Sequence, residues 1–295
     1  MNEIPLEIRH LAEQRERARR GRDFTEADSL RERIRDEGFD VADTAGGPRI
    51  FRTSEAADHD DGGESDPIVR PDQIIRLLDD PPGFDASVHW IVEGWPGDVV
   101  RGIESFRRVE EGRRSVQHVV VDTTGGDRSV WPPGVDVVRL AGRTGWAAGR
   151  NAGFLRAAGE IVVIVDGSIE AAGDVLGPLS RALDDPTVGL TGPFGLVTED
   201  LRQFRPAPGP ECDAVEGYLM AVRRSLLQEG LRFDQKFRFY RIADIELSFQ
   251  IKAKGLRVTI TSVPVNKHEH RMWANTPEDR RAQLSKRNFY RFLDR

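Results

Sequence analysis

The chain has 295 residues, of which 38% are hydrophobic and 31% are charged, and its formal net charge is −6. This length accommodates one large domain with an appendage, or two domains. The acidic balance argues against a general polyanion-binding surface, and the lone Cys212 excludes a disulfide framework and a cysteine-rich zinc site. The first residues lack the apolar core of a signal peptide, and no apolar run approaches the roughly 20 residues of a membrane span. We therefore expect a cytoplasmic protein.

Residues 1–52 have the periodicity of two short helices. Apolar side chains recur at helical spacing in two stripes: Ile4, Ile8, Leu11 and Ala18, then Phe24, Ala27, Leu30 and Ile34. Gly21 lies between the stripes and is a suitable helix end. The segment is predicted to form a helical hairpin with a short extended tail through Val41 and Ile50.

Residues 53–84 are predicted to form a flexible acidic linker. The stretch from 53 to about 72 is rich in Asp, Glu and Gly and contains almost nothing apolar. Such a segment cannot bury enough surface to offset its chain entropy. A solvated spacer is favoured here over an acidic binding tail.

From residue 85 to residue 295, short β-rich runs alternate with longer helical stretches. The β-rich runs are 87–92, 117–121, 135–140 and 161–165, and the helical stretches lie near 97–111 and 147–158. This alternation is typical of βαβ units and predicts an α/β domain with a mostly parallel sheet. The terminal stretch 280–295 predicts a basic amphipathic helix. Docking on its own domain is favoured over contact with an anionic membrane surface, which remains the alternative.

Acidic residues follow three of the predicted strands: Glu93, Asp122 and Asp166. In an open parallel sheet, ligands collect at the carboxyl ends of the strands. Between Asp122 and Asp166 lies GRTGWAAGRNAG, residues 142–153, which opens a helix. Exposed backbone N–H groups at that helix start, together with Arg150, would suit a diphosphate.

These motifs, in this order, resemble family 2 glycosyltransferases of the GT-A type over residues 86–270. The elements that carry the resemblance are VHWIVEG, VVVDTTGGD, GWAAGRNAG, a hydrophobic strand ending at Asp166, GYLMAVRRSLL, FDQKF, ADIEL, GLRV and a terminal histidine. The resemblance implies a Rossmann-like GT-A fold. It also implies transfer of a sugar from a nucleotide-diphosphate donor, UDP-sugar by default, to an acceptor hydroxyl with inversion.

The resemblance further implies roles for individual residues. Asp122 would bind the base or ribose of the nucleotide with Glu93 beside it, and Arg150 would approach the diphosphate. Asp166 would face the ribose or a divalent cation, Mg²⁺ or Mn²⁺. Asp244 matches the position of the general base on the acceptor hydroxyl.

A histidine near the metal or the leaving diphosphate is also implied, and His268 or His270 would fill that place. Two histidines at i and i+2 on an extended segment point to one face and could share the metal. Packing is an equal alternative for either histidine taken singly.

Two departures from the family pattern bear on the metal and on catalysis. Asp166-Gly167-Ser168 stands where the family has Asp-x-Asp, and a neutral hydroxyl is a poorer ligand for Mg²⁺ or Mn²⁺ than a carboxylate. Either Glu170 or His268 supplies the charge, or the metal is bound weakly, or it is not used. Ala243 also removes one carboxylate of the acidic element. A catalytically lapsed relative that binds nucleotide or acts as a scaffold therefore remains the alternative function.

The amino-terminal hairpin carries a second resemblance. The run RDFTEADSLRERIRDEGFDVADTAGGPRI is similar to the carboxyl-terminal end of cysteinyl-tRNA synthetases. No synthetase zinc ligands or nucleotide-binding signatures accompany it, which sets aminoacylation aside. Arginines cluster at the end of the first helix, but neighbouring acidic residues offset them, so a docking or dimerisation element is favoured over RNA contact. The acceptor, whether saccharide, lipid-linked or protein, and any homo-oligomer are left open.

Overall fold

The structure is a computed structural model, and it describes residues 4–21, 23, 26–27, 29–30, 33–34, 37, 39–44, 47–52, 68–124, 130–141 and 144–294. The chain divides into two compact units, Met1–Ser65 and Asp66–Arg295. Residues 53–67 of the predicted linker lie outside the described residues. Among the helices that are described, none is long and apolar enough to cross a membrane.

The smaller unit contains the predicted first helix. Helix α1 spans Leu6–Arg20, and the described residues between 26 and 34 are helical as well. Strand β1 (Phe39–Thr44) then pairs antiparallel with β2 (Gly47–Arg52), so the predicted extended tail is a two-stranded hairpin. Side chains from both helical stripes share a core with the first strand: Ile8, Leu11, Ala12, Leu30, Ile34, Phe39 and Val41.

The larger unit is built on strands whose bounds follow the predicted alternation. They are β3 (Phe84–Val92), β4 (Val116–Asp122), β5 (Asp136–Arg139), β6 (Gly159–Val165), β7 (Ile169–Ala171), β8 (Val188–Gly192), β9 (Gly195–Val197), β10 (Arg205–Pro206), β11 (Glu211–Cys212), β12 (Ala214–Val215), β13 (Leu219–Arg223), β14 (Arg257–Ile260) and β15 (Val265–Lys267). The main sheet has eight strands in the order β11-β14-β8-β13-β6-β3-β4-β5. Strands β3 to β6 are parallel, and β13 enters antiparallel between β6 and β8. The predicted α/β class with a mostly parallel sheet is confirmed.

Helices cover both faces of this sheet. They are α2 (Pro96–Glu110), α3 (Trp146–Phe154), α4 (Leu176–Leu183), α5 (Arg224–Gln228), α6 (Ala243–Ala253), α7 (Arg271–Asn275) and α8 (Glu278–Leu293). Strand β3 is buried on both sides, and Trp90 packs edge-on against Phe106 of α2 with ring centroids 5.6 Å apart. Gly102 makes this approach feasible, because a Cβ there would lie 2.6 Å from the Trp90 ring. Close packing of α2 fixes the carboxyl end of β3, where the site forms.

The segment from residue 68 to residue 83 belongs to the larger unit, whereas its composition predicts part of the linker. Val69 forms a parallel bridge with Leu140, and Leu78 is buried. The guanidinium of Arg224 donates to the carbonyls of Leu78 and Asp80 at 3.1 and 2.7 Å. The apolar side chains of this segment and the hydrogen bonds from Arg224 therefore dock it on the larger unit.

Helix α8 docks on its own domain, as favoured from the sequence. The Phe292 ring lies 6.2 Å from the Phe204 ring and 5.3 Å from the Phe249 ring, measured between centroids. Asn288, one turn earlier on the same face, is also buried. This face fixes the helix against the turn that precedes α6.

Candidate active site

Three of the predicted site residues meet at the carboxyl end of the parallel strands. Glu93 follows β3, and Asp166 follows its parallel neighbour β6. His270 is distant in sequence but is brought to these strand ends by the pairing of β15 with β7. The His268 amide also donates to the Ser168 carbonyl at 2.8 Å. The Nε2 atom of His270 lies 2.9 Å from Glu93 Oε2 and 2.8 Å from Asp166 Oδ2. Glu93, Asp166 and His270 are called the carboxylate–histidine cluster below.

The charges of the cluster are strongly coupled. Burial raises the pKa of Glu93, and the neighbouring Asp166 charge adds to this. Burial also opposes ionisation of Asp166, but hydrogen bonds from His270 and Ser168 outweigh it and lower the pKa of Asp166. Burial likewise disfavours the imidazolium, yet the two carboxylates raise the pKa of His270 to about 10. Without another cation, the carboxylates thus share one protonated imidazole.

The donor set of the cluster fits a divalent cation. Its three ligand atoms lie within 4.8 Å of one another. Neighbouring oxygens around an octahedral cation with bonds of about 2.1 Å are roughly 3 Å apart, close to the separations found here. Glu93 Oε1 is buried with no hydrogen-bond partner, so one carboxylate oxygen is without a donor. Carboxylates suit Mg²⁺ and Mn²⁺, and imidazole extends the range to softer transition metals.

The structure brings His270, and not His268, to Asp166. His268 Nε2 instead lies 2.7 Å from Glu170 Oε1, and the same oxygen lies 2.6 Å from Arg101 Nε. Glu170 and His268, the predicted substitutes for the carboxylate absent at position 168, are therefore paired with other groups. The second carboxylate beside His270 is Glu93, for which the resemblance implies a place next to the nucleotide.

Ser168 orients the Asp166 carboxylate. Its backbone amide donates to Asp166 Oδ1 at 2.8 Å, and its hydroxyl is buried without a partner. The turn Asp166-Gly167-Ser168 therefore holds one carboxylate oxygen and leaves Oδ2 facing His270.

Asp244, the predicted general base, lies in the first turn of α6. Its Oδ2 accepts from the Gly217 amide at 2.8 Å, and its Oδ1 accepts from the Ile245 amide at 3.0 Å. Burial raises the pKa of Asp244, opposed by these two amides and by the positive charge of Arg241. A Cβ at position 217 would lie 2.9 Å from Asp244 Cβ, so Gly217 is needed for this approach.

The turn before α6 leads to Asp244 and packs against the cluster. Tyr240 packs on His270 with ring centroids 4.7 Å apart. Ile242 has φ 73°, a left-handed conformation that is costly for a β-branched residue. The buried Asn288 of α8 donates to the carbonyls of Phe239 and Arg241, at 2.8 Å each. Such strain persists only where the surroundings hold it, and Asn288 supplies that support.

Sequence reasoning missed Tyr240 and the role of Asn288. Tyr240 lies in a loop of no regular pattern, so nothing local singles it out. Asn288 was visible as a polar residue on the otherwise apolar stripe of the last helix. A polar residue on a buried helix face has to find a partner, which is a usable signal.

Arg150 lies inside the fold and not at an open diphosphate position. Only 2% exposed, it donates from Nη1 to the His89 carbonyl at 2.9 Å and from Nη2 to the Val165 carbonyl at 3.0 Å. Burial lowers the pKa of Arg150 to about 10, against the pull of Glu93 and Asp166. A diphosphate contact by Arg150 stays a prediction that would require these hydrogen bonds to be exchanged.

The start of α3 was also predicted to offer exposed backbone N–H groups to the diphosphate. The amides of Trp146 and Ala147 donate to the carbonyls of Arg238 and Phe237, at 3.2 Å each. The expectation of free N–H groups is therefore wrong for these two residues, because the FDQKF loop covers the helix end.

Asp122 ends β4 and is buried. Its Oδ1 accepts from both the amide and the hydroxyl of Thr124, at 2.8 and 2.7 Å. Its predicted contact with the nucleotide base or ribose stays a prediction, since residues 125–129 of the following loop lie outside the described residues.

Comparisons with known proteins bear on the fold of the larger unit. Residues 124–246 match the family described as Glycosyl transferase family 2. GalNAc-T7, solved with UDP, GalNAc and Mn²⁺, is similar at 17% identity and a TM-score of 0.59, over 72% of this chain and 48% of that one. The mannosyltransferase PcManGT from Pyrobaculum calidifontis, solved with GDP-Man and Mn²⁺, is similar at 20% identity and a TM-score of 0.50, over 74% and 69%.

A curated relative matches a much shorter part of the chain. Cysteine–tRNA ligase of Methanosarcina mazei is 41% identical over 54 residues, which is 18% of this chain and 11% of the ligase. The chain thus spans about half of the GalNAc-T7 chain and about a tenth of the ligase it matches. Residues 124–246 thus match glycosyl transferase family 2, and the likeness to the two solved glycosyltransferases shows that the larger unit has their fold.

Proposed function

We propose that the chain transfers a sugar from a nucleotide-diphosphate donor, UDP-sugar by default, to an acceptor hydroxyl with inversion. The observation that carries this proposal is the carboxylate–histidine cluster at the carboxyl ends of β3 and β6. Two proteins of the same fold were solved with UDP or GDP-Man together with Mn²⁺, which supports a nucleotide-sugar donor here.

Glu93, Asp166 and His270 would hold Mn²⁺ or Mg²⁺. When bound, such a cation neutralises the oxygens of the leaving nucleoside diphosphate. His270 then has to give up its proton, and Glu93 and Asp166 exchange their contact with the imidazolium for one with the cation. The buried setting strengthens these charge interactions, because few waters compete for the ligands.

Asp244 would accept the proton of the acceptor hydroxyl. The hydroxyl oxygen forms a bond to the anomeric carbon as the bond from that carbon to the phosphate oxygen breaks, which inverts the sugar. Burial raises the pKa of Asp244, so its carboxylate is a stronger base than that of an exposed aspartate. The amides of Gly217 and Ile245 fix the orientation of the carboxylate for this step.

A thermal-shift panel tests the proposal directly. UDP, GDP, dTDP and their sugar conjugates are each added with Mn²⁺, Mg²⁺ or EDTA, and turnover is followed by release of the nucleoside diphosphate. A ligand at 100 times its Kd stabilises by about 2.7 kcal/mol, which raises Tm by a few degrees. We expect one nucleotide family to raise Tm only when metal is present. No shift with any donor would overturn the proposal.

Two neighbouring histidines supply a matched pair of variants. His270→Asn removes a cluster ligand, whereas His268→Asn removes a ring that contacts Glu170 outside the cluster. We expect the metal-dependent shift to disappear in the first variant and to remain in the second. Equal loss in both would mean that the cluster does not hold the metal.

The serine at position 168 favours one second candidate, a relative that binds nucleotide without catalysis. A thermal shift that survives EDTA, with no turnover of any donor, would support it over the transferase. For the amino-terminal unit we propose docking or dimerisation. Binding to RNA with an affinity that falls steeply with salt would contradict that assignment.

A further inference from the structure

Trp273, just beyond the cluster, is contacted by two arginines. The guanidinium carbon of Arg241 lies 5.0 Å from the Trp273 ring centroid, and that of Arg281 lies 4.8 Å from it. The Trp273 ring also packs against Tyr240, which in turn packs on His270. In the part of the chain that the structure describes, no ion pair joins either arginine to a carboxylate. Two positive charges thus lie at one aromatic ring without a direct ion-pair partner among the described residues.

Helix α8 carries two hydrogen-bond donors without acceptors close to Trp273. The Nε of Arg281 and the hydroxyl of Ser285 are buried without hydrogen-bond partners. These residues are four positions apart, so their side chains lie on one face of the helix. The same face continues to Asn288, which holds the Arg241 carbonyl at 2.8 Å. The helix therefore directs unsatisfied donors towards the turn that carries Arg241.

The chemistry of this group selects its ligand. Both arginines offer only N–H donors, and a serine hydroxyl can donate as well. Guanidinium groups bind phosphate oxygens in a bidentate manner, and burial makes the unpaired donors costly until an acceptor arrives. A multiply charged oxyanion with several acceptor oxygens satisfies the set, and a neutral sugar hydroxyl does not neutralise its charge.

The position of Arg241 indicates which substrate brings the oxyanion. Arg241 lies three residues before Asp244 and acts on that carboxylate through its positive charge. Asp244 is the proposed base on the acceptor, whereas the carboxylate–histidine cluster would take the diphosphate of the donor. The arginine pair is therefore on the acceptor side of the cluster.

We propose that Arg241, Arg281 and Ser285 form a phosphate subsite next to Trp273, and that it binds the phosphate group of a phosphate-bearing acceptor. The acceptor assignment rests on the proposed function, because it takes Asp244 as the base. Binding of phosphate itself does not depend on turnover. The two can therefore be tested separately.

Inorganic phosphate is the probe, titrated into the full chain by calorimetry without nucleotide or metal. We compare the wild type with Arg241→Gln, with Arg241→Gln/Arg281→Gln, and with Arg280→Gln as the matched control. Arg280 is an exposed arginine of the same helix that contacts Gln283. Arg241 is exposed too, so its single variant keeps the test valid if the double variant unfolds.

We expect the double variant to bind phosphate at least about tenfold more weakly, and Arg280→Gln to bind like the wild type. Equal phosphate affinity in all variants, or no saturable binding to the wild type, would overturn the subsite. A second titration adds saturating UDP and Mg²⁺ to the wild type. Unchanged phosphate affinity supports the acceptor as the source, and displacement of phosphate by UDP overturns it in favour of the donor diphosphate.

The test separates failure of the subsite from failure of the proposed function. If the chain binds no nucleotide, the first titration still reports on Arg241 and Arg281. If phosphate does not bind while UDP raises Tm with metal, the transferase proposal stands and the subsite alone is wrong.

Discussion

The sequence predicts ligand contacts both at the start of α3 and in the carboxylate–histidine cluster, but the polar groups of the two regions differ in their hydrogen-bond partners. At α3, the Trp146 and Ala147 amides and the Arg150 guanidinium all donate to backbone carbonyls. In the cluster, Glu93 Oε1 has no donor, and two carboxylates converge on one imidazole. The paired amides and guanidinium contribute to stability, whereas the unpaired carboxylate oxygen of Glu93 is available to a ligand.

This difference follows from the cost of burial. A buried polar group without a partner costs about 1–3 kcal/mol, so most are paired within the protein. Arg150 ties β3 to β6 through the carbonyls of His89 and Val165, although its buried Nε has no partner. The cluster lies between the ends of the same two strands, yet it retains an uncompensated acceptor. The comparison predicts opposite consequences for substitutions in the two regions.

Asp244→Asn tests the functional side and has the largest expected effect. Loss of the proposed base should lower transfer roughly a hundredfold to ten-thousandfold, while donor affinity stays unchanged. Because burial raises the pKa of Asp244, wild-type activity should fall with decreasing pH from a point above the ordinary value of 3.8. Steady-state kinetics of nucleoside diphosphate release measure both effects. Full activity in Asp244→Asn would remove it as the base.

Arg150→Met tests the structural side. The variant leaves the carbonyls of His89 and Val165 without their donor and should lower the free energy of unfolding by about 3 kcal/mol. The molecules that remain folded should bind the donor with wild-type affinity. Arg205→Met is the control, since Arg205 forms an exposed pair with Glu199 and should cost about 1 kcal/mol or less. Weaker donor binding at unchanged stability would instead support the diphosphate role of Arg150.

Asn288→Ala tests a buried structural residue that also supports the turn next to the proposed site. It removes the donor to the Phe239 and Arg241 carbonyls, which releases the turn that carries Tyr240. Since a small misplacement of a reacting group is costly, kcat should fall about tenfold while the KM for the donor is unchanged. Gln283→Ala, an exposed change on the same helix, serves as the control. A parallel loss of stability and donor affinity, with kcat kept, would argue for packing alone.

His89 and His118 have buried Nε2 atoms without partners, although neither residue lies in the cluster. Burial, with the charges of Arg150 and Arg107, lowers the pKa of each from 6.5 to about 3. The folded state therefore resists protonation, so the stability that neutral histidine provides is present above pH 6.5 and is lost as pH falls toward 3.

Each histidine adds a slope of up to about 1.4 kcal/mol per pH unit in that window. Urea unfolding of the wild type and of His118→Asn across the window measures it. The variant should show the shallower dependence, and equal slopes would contradict the account.

Much of the fold was predictable because its patterns are local. Buried runs such as Ile161–Val165, alternating with helical stretches, define the parallel strands β3 to β6. The two-stranded hairpin of the smaller unit was missed, since pairing between strands depends on partners that periodicity does not identify. A single helix predicted near 214–229 was wrong, because that stretch contains β12 and β13 before the short helix α5. Docking of the segment from residue 68 depends on Arg224, more than a hundred residues away.

The site was predictable in its parts but not in its pairings. Strand ends indicated Glu93 and Asp166, and the His-x-His pattern indicated His268 and His270 without separating them. Only the β7–β15 register shows which histidine reaches Asp166. Arg150 had the right residue type for a phosphate contact, but its burial could not be read from the sequence.

Mn²⁺ binding in the absence of nucleotide is the most direct test of the central claim that the cluster holds a divalent cation. Electron paramagnetic resonance titration measures free Mn²⁺ for the wild type, for Glu93→Gln and for Glu170→Gln, a neighbouring carboxylate outside the cluster. The account predicts saturable binding to the wild type and to Glu170→Gln, and at least about tenfold weaker binding to Glu93→Gln. Equal binding to all three proteins, or none to the wild type, would contradict it.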